Sequence, residues 1–427
     1  MNNYQKFIFV GYEFKPLEKT VELHYAVDEA LHFTETYHFD FPFVDLDYIA
    51  IDVAIQQLFF IAGISYYKTF LPPEIEVKQG VIDGPLAAFL RKTYQRGLGE
   101  FYYVNKLNPR TETPFETDTQ DLAAISFNTE GLLVGLGGGK DSLVSVELLR
   151  DSGLDVATWS LGHRTQLTPL VERVGLPHYY VEREWDPQLT SLNKNGVYNG
   201  HVPISAIFAA VGTIVCILTG RRDHVVSNEQ SANEPTLFYD GVAINHQYSK
   251  SQEFERDCQE FLKHAFGNSI RYYSLLRPLS ELRIAELFAA HFETYHDVFS
   301  SCNTAFRRGS THLFWDGACA KCAFIFLALT PFIGQSKLEA LFGGNNLLLD
   351  ASLEPTYRQL LGIEGNKPLD CVGEVREVRA AMKLAQELYP ELGKYEFELD
   401  STYDFRALAG HEIPSEIWEI IRPQISR

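Results

Sequence analysis

The stretch GLLVGLGGGKDSLVSVELL, residues 131 to 149, places Gly137, Gly138 and Gly139 between two apolar runs. Leu132, Leu133, Val134 and Leu136 predict a buried strand, and Leu143, Val144, Val146, Leu148 and Leu149 suit a helix packed on the same sheet. Glycines in the turn reach positive φ and let bulky oxygens approach the peptide N–H groups. The helix start behind them adds unpaired donors and a partial positive charge. The stretch is a candidate anion cradle with phosphate as the expected anion. Tight strand-to-helix turns also use glycine for structure alone, but Lys140, Asp141 and Ser142 directly after the turn favour the cradle.

Outward from this turn, strand and helix patterns alternate: DVATWSL, a helix over LTPLVERVG, HYYVER, an apolar helix at 203 to 219, then DHVVSN. Such alternation predicts an α/β domain, residues 121 to 345, with a mostly parallel sheet covered on both faces and ligands beyond the carboxyl ends of its strands. Residues 1 to 120 read differently. Period-two alternation in KFIFVGYEF, TVELHYAV and HFTETYHFDF predicts antiparallel strands, and two helical patterns follow, giving an α+β amino-terminal domain. The polar run NPRTETPFETDTQ marks the boundary. Residues 346 to 427 read as helical, with Val375, Val378, Met382, Ala385 and Leu388 on one face.

A length of 427 residues implies two or three domains at roughly 150 residues each. A net charge of −19 repels phosphate backbones, which argues against DNA, RNA or tRNA as a partner. The amino terminus lacks the basic and apolar pattern of a secretory signal, so a cytoplasmic location is expected. The uncharged run from Val202 to Gly220 approaches membrane-spanning length, but Pro203, Ser205, Gly212 and Thr213 and the alternating neighbours favour a buried crossover helix over membrane insertion.

Further along, SNEQSANEP offers Asn228, Glu229, Asn233 and Glu234 to orient a substrate or Mg²⁺; a self-bonded polar turn is the structural alternative. NHQYSKSQEFE places His246, Tyr248 and Lys250 together as candidate proton carriers, with Ser249 or Ser251 able to cap a helix there. Arg277 and Arg283, with Arg271 nearby, suit carboxylate or phosphate capture, or else a salt bridge. Arg307 and Arg308 add to this basic set. Cys302, Cys319 and Cys322 can grip one Zn²⁺, with His312 or Asp316 as fourth ligand, or can simply pack as reduced thiols. Racemase-like thiol chemistry fits this motif less well, since neighbours in one turn cannot attack from opposite faces.

The glycine turn fails the Walker A pattern, because Val134 stands at its first glycine and Asp141 follows Lys140. It also fails the dinucleotide fingerprint, which needs a glycine at 140. It resembles the SGGxDS loop of the PP-loop ATP pyrophosphatases, with Gly137 in place of the first serine. Taken with SNEQSANEP, NHQYSKSQEFE, LLRPLSELRIAELFA, SSCN, GACAKCAFIFLAL and KPLDCVGEVREVRAA, in that order, the chain resembles the MurL family, the UDP-N-acetyl-α-D-muramoyl-L-alanyl-L-glutamate epimerases of peptidoglycan synthesis. Asp316 departs from the resemblance, which leads one to expect a cysteine there.

The resemblance implies a PP-loop fold, ATP and Mg²⁺ as cofactors, and adenylation of the glutamate α-carboxylate of UDP-MurNAc-L-Ala-L-Glu with release of AMP and pyrophosphate. It also implies a role in cell-wall biogenesis, cell shape and division, with functional coupling to an L-Glu-adding Mur ligase. In that scheme Gly137, Gly138, Gly139, Lys140 and Ser142 hold the phosphates, Asp141 positions Mg²⁺, and Asn228, Glu229, Asn233, Glu234, Arg277 and Arg283 bind the substrate. The amino-terminal domain is a candidate for the sugar nucleotide. A nitrile- or amide-forming PP-loop ligase and a non-catalytic nucleotide-binding regulator are the alternatives.

Overall fold

Three segments of alternating polarity form an antiparallel meander of β1 (Lys6–Lys15), β2 (Thr20–Val27) and β3 (Leu31–Phe39). The computed structural model describes residues 4 to 118, 123 to 307 and 309 to 426. A short strand that the sequence pattern did not announce, β4 (Glu74–Val77), lies parallel to β1 at the sheet edge. The strand–helix alternation then yields β5 (Leu132–Gly135), β6 (Val156–Leu161), β7 (His178–Glu184) and β8 (Asp223–Val226). A separate hairpin of β9 (Leu237–Tyr239) and β10 (Val242–Ile244) precedes β11 (Arg271–Ser274).

One nine-stranded sheet takes the order β11-β8-β5-β6-β7-β3-β2-β1-β4. Its strands from β11 to β7 are parallel, as expected for an α/β domain. The amino-terminal meander continues that sheet through an antiparallel pairing of β3 with β7, so hydrogen bonding runs across the sequence boundary near residue 120. From β5 the chain lays strands first to one side and then to the other. This reversal opens a crevice at the carboxyl end of β5, where ligands of doubly wound sheets sit.

Strand side chains alternate between faces, and β5 feeds two cores accordingly. Leu132 and Val134 join the helices Lys140–Arg150, Glu281–Ala289, Ala320–Leu329 and Val375–Leu388. Leu133 joins Tyr48–Ala62, Ile204–Thr219 and Gln252–Phe266 on the other face. The apolar run at 202 to 220 is thus the buried crossover helix Ile204–Thr219, packed on Tyr48–Ala62. Among the described residues the helical stretch Tyr48–Tyr67 is long and apolar enough to cross a membrane, and 83% of its most apolar window is buried inside the protein. Val378, Met382 and Ala385 are buried on one helix face as their spacing predicts, whereas Leu388, the helix's last residue, is exposed.

The seam between β3 and β7 carries a buried ion pair. Arg183 Nε lies 2.8 Å from Glu35 Oε1, and the side chains are 6% and 0% exposed. The Tyr37 hydroxyl also donates to Glu35. Arg183→Met leaves a buried carboxylate without its cation and is expected to cost about 3–5 kcal/mol of stability. Urea denaturation checks this; an unchanged midpoint would show that the seam does not depend on the pair.

Candidate active site

The glycine turn lies in the four residues, Leu136 to Gly139, between β5 and the helix Lys140–Arg150. Gly138 has φ +91°, and a Cβ there would stand 2.9 Å from Leu313; one at Gly139 would stand 2.8 Å from Ser301 Oγ. The turn therefore needs glycine both for backbone conformation and for space. Its carbonyls are held from within the protein: Ser300 N donates to Gly138 O at 3.0 Å and Ser142 Oγ to Gly139 O at 3.0 Å. Among the described residues no side chain caps the helix start, which leaves its N–H groups for an anion.

Gly137, Gly139, Asp141 and Ser142 line a cleft of about 760 Å³. Lys140 is placed otherwise than the phosphate-loop reading expects. Its ammonium is fully buried and ion-paired with Asp141 and Glu281. Burial disfavours its charge, but these two carboxylates outweigh burial and keep it protonated. Burial, together with Asp141 and the more distant Glu229 and Glu377, pushes Glu281 up to about 8 against the pull of Lys140. Lys140 thus fastens the turn to the helix Glu281–Ala289. The ammonium groups that do line the cleft are Lys250 and Lys321. Asp141 is held below the usual carboxylate range because Lys140, Lys321 and Lys250 together overcome its burial.

Of the SNEQSANEP set, Asn228 lines this cleft. Glu229 is buried behind it, with its carbonyl accepting from Arg277 at 2.6 Å. Asn233 and Glu234 line a different depression of about 510 Å³. There Asn233 Oδ1 accepts from Gln252 N at 2.7 Å, and Glu234 pairs with Lys367 at 2.9 Å.

The arginines take the salt-bridge alternative in this structure. Arg277 has no exposed surface; it pairs with Glu255 at 3.0 Å and donates to the carbonyls of Glu229 and Lys250. Arg283 is spent on Glu286 and on the Ile425 carbonyl at 3.0 Å. Both side chains are buried with these internal partners, Arg283 from the helix Glu281–Ala289. Arg307 stacks over Phe314 with its guanidinium 5.0 Å from the ring centre, and Arg308 lies outside the described residues.

Cys302, Cys319 and Cys322 converge with Asp316, and one ligand atom from each lies within 4.8 Å of the others. The two sulfurs of Cys302 and Cys319 are 3.8 Å apart. Two thiolates bound about 2.3 Å from a tetrahedral zinc sit roughly 3.8 Å apart, so the set fits that ion, with Asp316 rather than His312 as the fourth ligand. The segment belongs to the site, since Cys302 and Lys321 line the cleft and Ser300 holds Gly138.

His246, Tyr248 and Lys250 separate into different roles. The Tyr248 ring is buried, and burial raises its phenol far above neutrality, so it is no proton acceptor. Lys250 Nζ stands 3.3 Å from Cys371 Sγ, a residue the motif reading passed over. His246 Nδ1 pairs with Glu100, and its ring lies within the electrostatic influence of the Cys371 thiol. Burial works against a charge on His246, but Cys371 and Glu100 overcome it and raise the ring to about 9. Burial, then the neighbouring His246, lowers His201 to about 4, so it stands neutral beside that ring.

These features define an α/β protein whose sheet presents a glycine turn and an uncapped helix start at its switch point, flanked by a cysteine cluster and a cysteine–histidine–lysine group. Residues 1–275 match the family described as the MurL N-terminal domain, and residues 298–391 the MurL C-terminal domain. A UDP-N-acetyl-alpha-D-muramoyl-L-alanyl-L-glutamate epimerase of Xanthomonas oryzae pv. oryzae (strain MAFF 311018) is 37% identical over 397 residues, covering 87% of this chain and 86% of its own. A protein of the same description from Salinispora tropica is 40% identical over 340 residues, 78% of this chain and 73% of its own. One from Micromonospora sp. is 39% identical over 340 residues, with coverage of 78% and 74%. The chain belongs to the MurL family.

Removing the buried ammonium tests how the turn is anchored. Lys140→Met leaves Asp141 and Glu281 facing each other and is expected to cost about 3–5 kcal/mol. Adding Glu281→Gln should recover part of that loss in thermal denaturation. Strictly additive losses would contradict the coupling.

Proposed function

We propose that the chain inverts the α-carbon of the terminal glutamate in UDP-MurNAc-L-Ala-L-Glu, consuming ATP and releasing AMP and pyrophosphate. Membership of the MurL family supports the substrate. The observation that carries the nucleotide half is the uncapped helix start behind three glycines at the sheet's switch point. That site suits the phosphates of ATP, as in PP-loop proteins.

Chemistry gives ATP a reason to be there. Taking the α-proton beside a free carboxylate would place two negative charges on adjacent atoms. Attack of the carboxylate oxygen on the α-phosphorus displaces pyrophosphate and leaves an acyl-adenylate, whose carbonyl accepts the α-carbon's electron pair. Water then cleaves the acyl bond to give AMP and the D-glutamyl product. Lys250 and Lys321 line the cleft and supply local positive charge for this anionic substrate in a protein of net charge −19. Arg183, also at the cleft wall, ties it to the amino-terminal sheet and makes that sheet a candidate support for the sugar nucleotide.

Asp141, a cleft-lining carboxylate held ionised by three lysines, fits Mg²⁺, which when bound would screen the triphosphate charge. The Cys302, Asp316, Cys319 and Cys322 set would hold a structural Zn²⁺ and fasten the segment that buttresses the glycine turn. An L-glutamate-adding Mur ligase would supply the substrate.

Incubation with ATP and UDP-MurNAc-L-Ala-L-Glu should yield AMP, pyrophosphate and D-glutamate in the product. ADP formation or unchanged chirality would contradict the reading. Asp141→Ala is expected to lower pyrophosphate release by about 10²-fold or more, on the scale of losing one preorganised electrostatic group. Elemental analysis of purified protein should find about one zinc per chain. Cys319→Ser should lose the zinc and lower the thermal midpoint; metal-free wild-type protein of the same stability would exclude the metal.

A further inference from the structure

We propose that Cys371 is the base that removes the glutamyl α-proton, an assignment that rests on the epimerase reading above. Its setting is assembled from distant parts of the chain. Lys250 Nζ, from the segment after β10, stands 3.3 Å from Sγ. His246 acts on the same sulfur electrostatically, and Glu100, from the amino-terminal region, pairs with His246 Nδ1 and fixes the ring. Side-chain polar atoms of Glu100, His201 and His246 lie within 4.8 Å of one another.

Two contacts tie the thiol to the cleft. Lys250 itself lines it beside Asp141. Asn303 lines it too, and its Nδ2 donates to Asp370 Oδ2 at 2.6 Å, while Asp370 Oδ1 accepts from Cys371 N at 2.8 Å.

The electrostatics match a thiolate. Burial raises the thiol, but Lys250, Lys321 and His246 overcome it and bring Cys371 down to about 6. The charged groups facing the sulfur are therefore these three cations, with Asp370 adjacent in sequence and Glu100 behind His246. A thiolate beside an imidazolium persists between about pH 6 and about pH 9, the values for Cys371 and His246. A purely structural cysteine needs no such escort; Cys216 and Cys258 are buried with their thiols held neutral.

Sγ takes the α-proton, the C–H electron pair moves into the bond to the acyl carbon, and the carbonyl pair moves onto its oxygen, giving a thiol and an enolate. Lys250 and Lys321 lie close enough to both Asp141 and Cys371 to stabilise that oxyanion. Water on the opposite face protonates the α-carbon, and the hydroxide so formed takes the proton from the Cys371 thiol. Cys371 is the catalytic group, and Lys250, His246 and Glu100 are positioning residues.

The test separates this step from activation. Wild type, Cys371→Ala and Cys371→Ser are given ATP, Mg²⁺ and UDP-MurNAc-L-Ala-L-Glu, and substrate-dependent pyrophosphate–ATP exchange is followed beside entry of solvent deuterium at the α-carbon. Both variants should keep exchange within about 3-fold of wild type and lose deuterium entry by about 10²–10⁴-fold, the range of a general base. Retained deuterium entry would overturn the assignment, as would an acyl adduct on Cys371, which would make it a nucleophile. Lack of exchange in wild type with deuterium still entering would remove the adenylate, and Cys371 would then be read from deuterium entry alone. With the cysteine in place, iodoacetamide labelling of Cys371, located by peptide mass, should rise through about pH 6 in wild type and at higher pH in His246→Asn. Identical profiles would count against the thiolate pair.

Discussion

A buried ammonium decides the shape of this site. Lys140 occupies the first turn of the helix behind Gly137, Gly138 and Gly139, and its head is driven inward onto Asp141 and Glu281. An unpaired charge at that depth would cost several kcal/mol, so the pairing constrains three elements at once: the glycine turn, the helix Lys140–Arg150 and the helix Glu281–Ala289. Asp141 is held ionised at the cleft wall, and the helix-start N–H groups stay free of side-chain caps. A lysine whose place in the sequence suggests a phosphate ligand is paired internally and anchors the glycine turn.

The second constraint is charge. A protein with net charge −19 that is to hold the anionic substrate and nucleotide of the proposed reaction must concentrate cations locally. It does so with Lys250 and Lys321, contributed by loop and helix-start segments far apart in sequence, while Arg277 and Arg283 are consumed by internal carboxylates and carbonyls. Lys250 and Lys321 act on both Asp141 and Cys371, so they electrostatically link the glycine-turn end of the cleft to the thiol beyond its wall. In the proposed reaction these two lysines would serve both activation of the carboxylate and removal of the neighbouring proton.

Much of the fold was legible because it rests on periodicity. Leu132 to Leu136, the run at 202 to 220 and the alternation from Lys6 onward each report their own burial, and the glycine turn reports a backbone that must lie bare. β4 was not legible, since EIEV is a partly buried edge strand with no apolar repeat, and neither was the pairing of β3 with β7, which joins residues nearly 150 apart. In the site, the cysteine spacing gave the sulfur cluster, and Asp316 was within reach as a ligand. The fates of Lys140, Arg277 and Tyr248 were hidden, because a sequence does not reveal whether a polar head turns outward or finds a buried partner. Cys371 was missed for the related reason that its escorts, Glu100, His246 and Lys250, are assembled only by tertiary folding.

The proposed reaction turns on the α-carboxyl oxygen attacking the α-phosphorus of ATP in the cleft beside the glycine turn. Substrate carrying oxygen-18 in the glutamyl α-carboxylate tests this directly when the nucleotide and phosphate products of one turnover are weighed by mass spectrometry. One labelled oxygen in AMP is the expected result, since cleavage of the acyl bond leaves the bridging oxygen on phosphorus. Unlabelled AMP, or label appearing in inorganic phosphate, would contradict it.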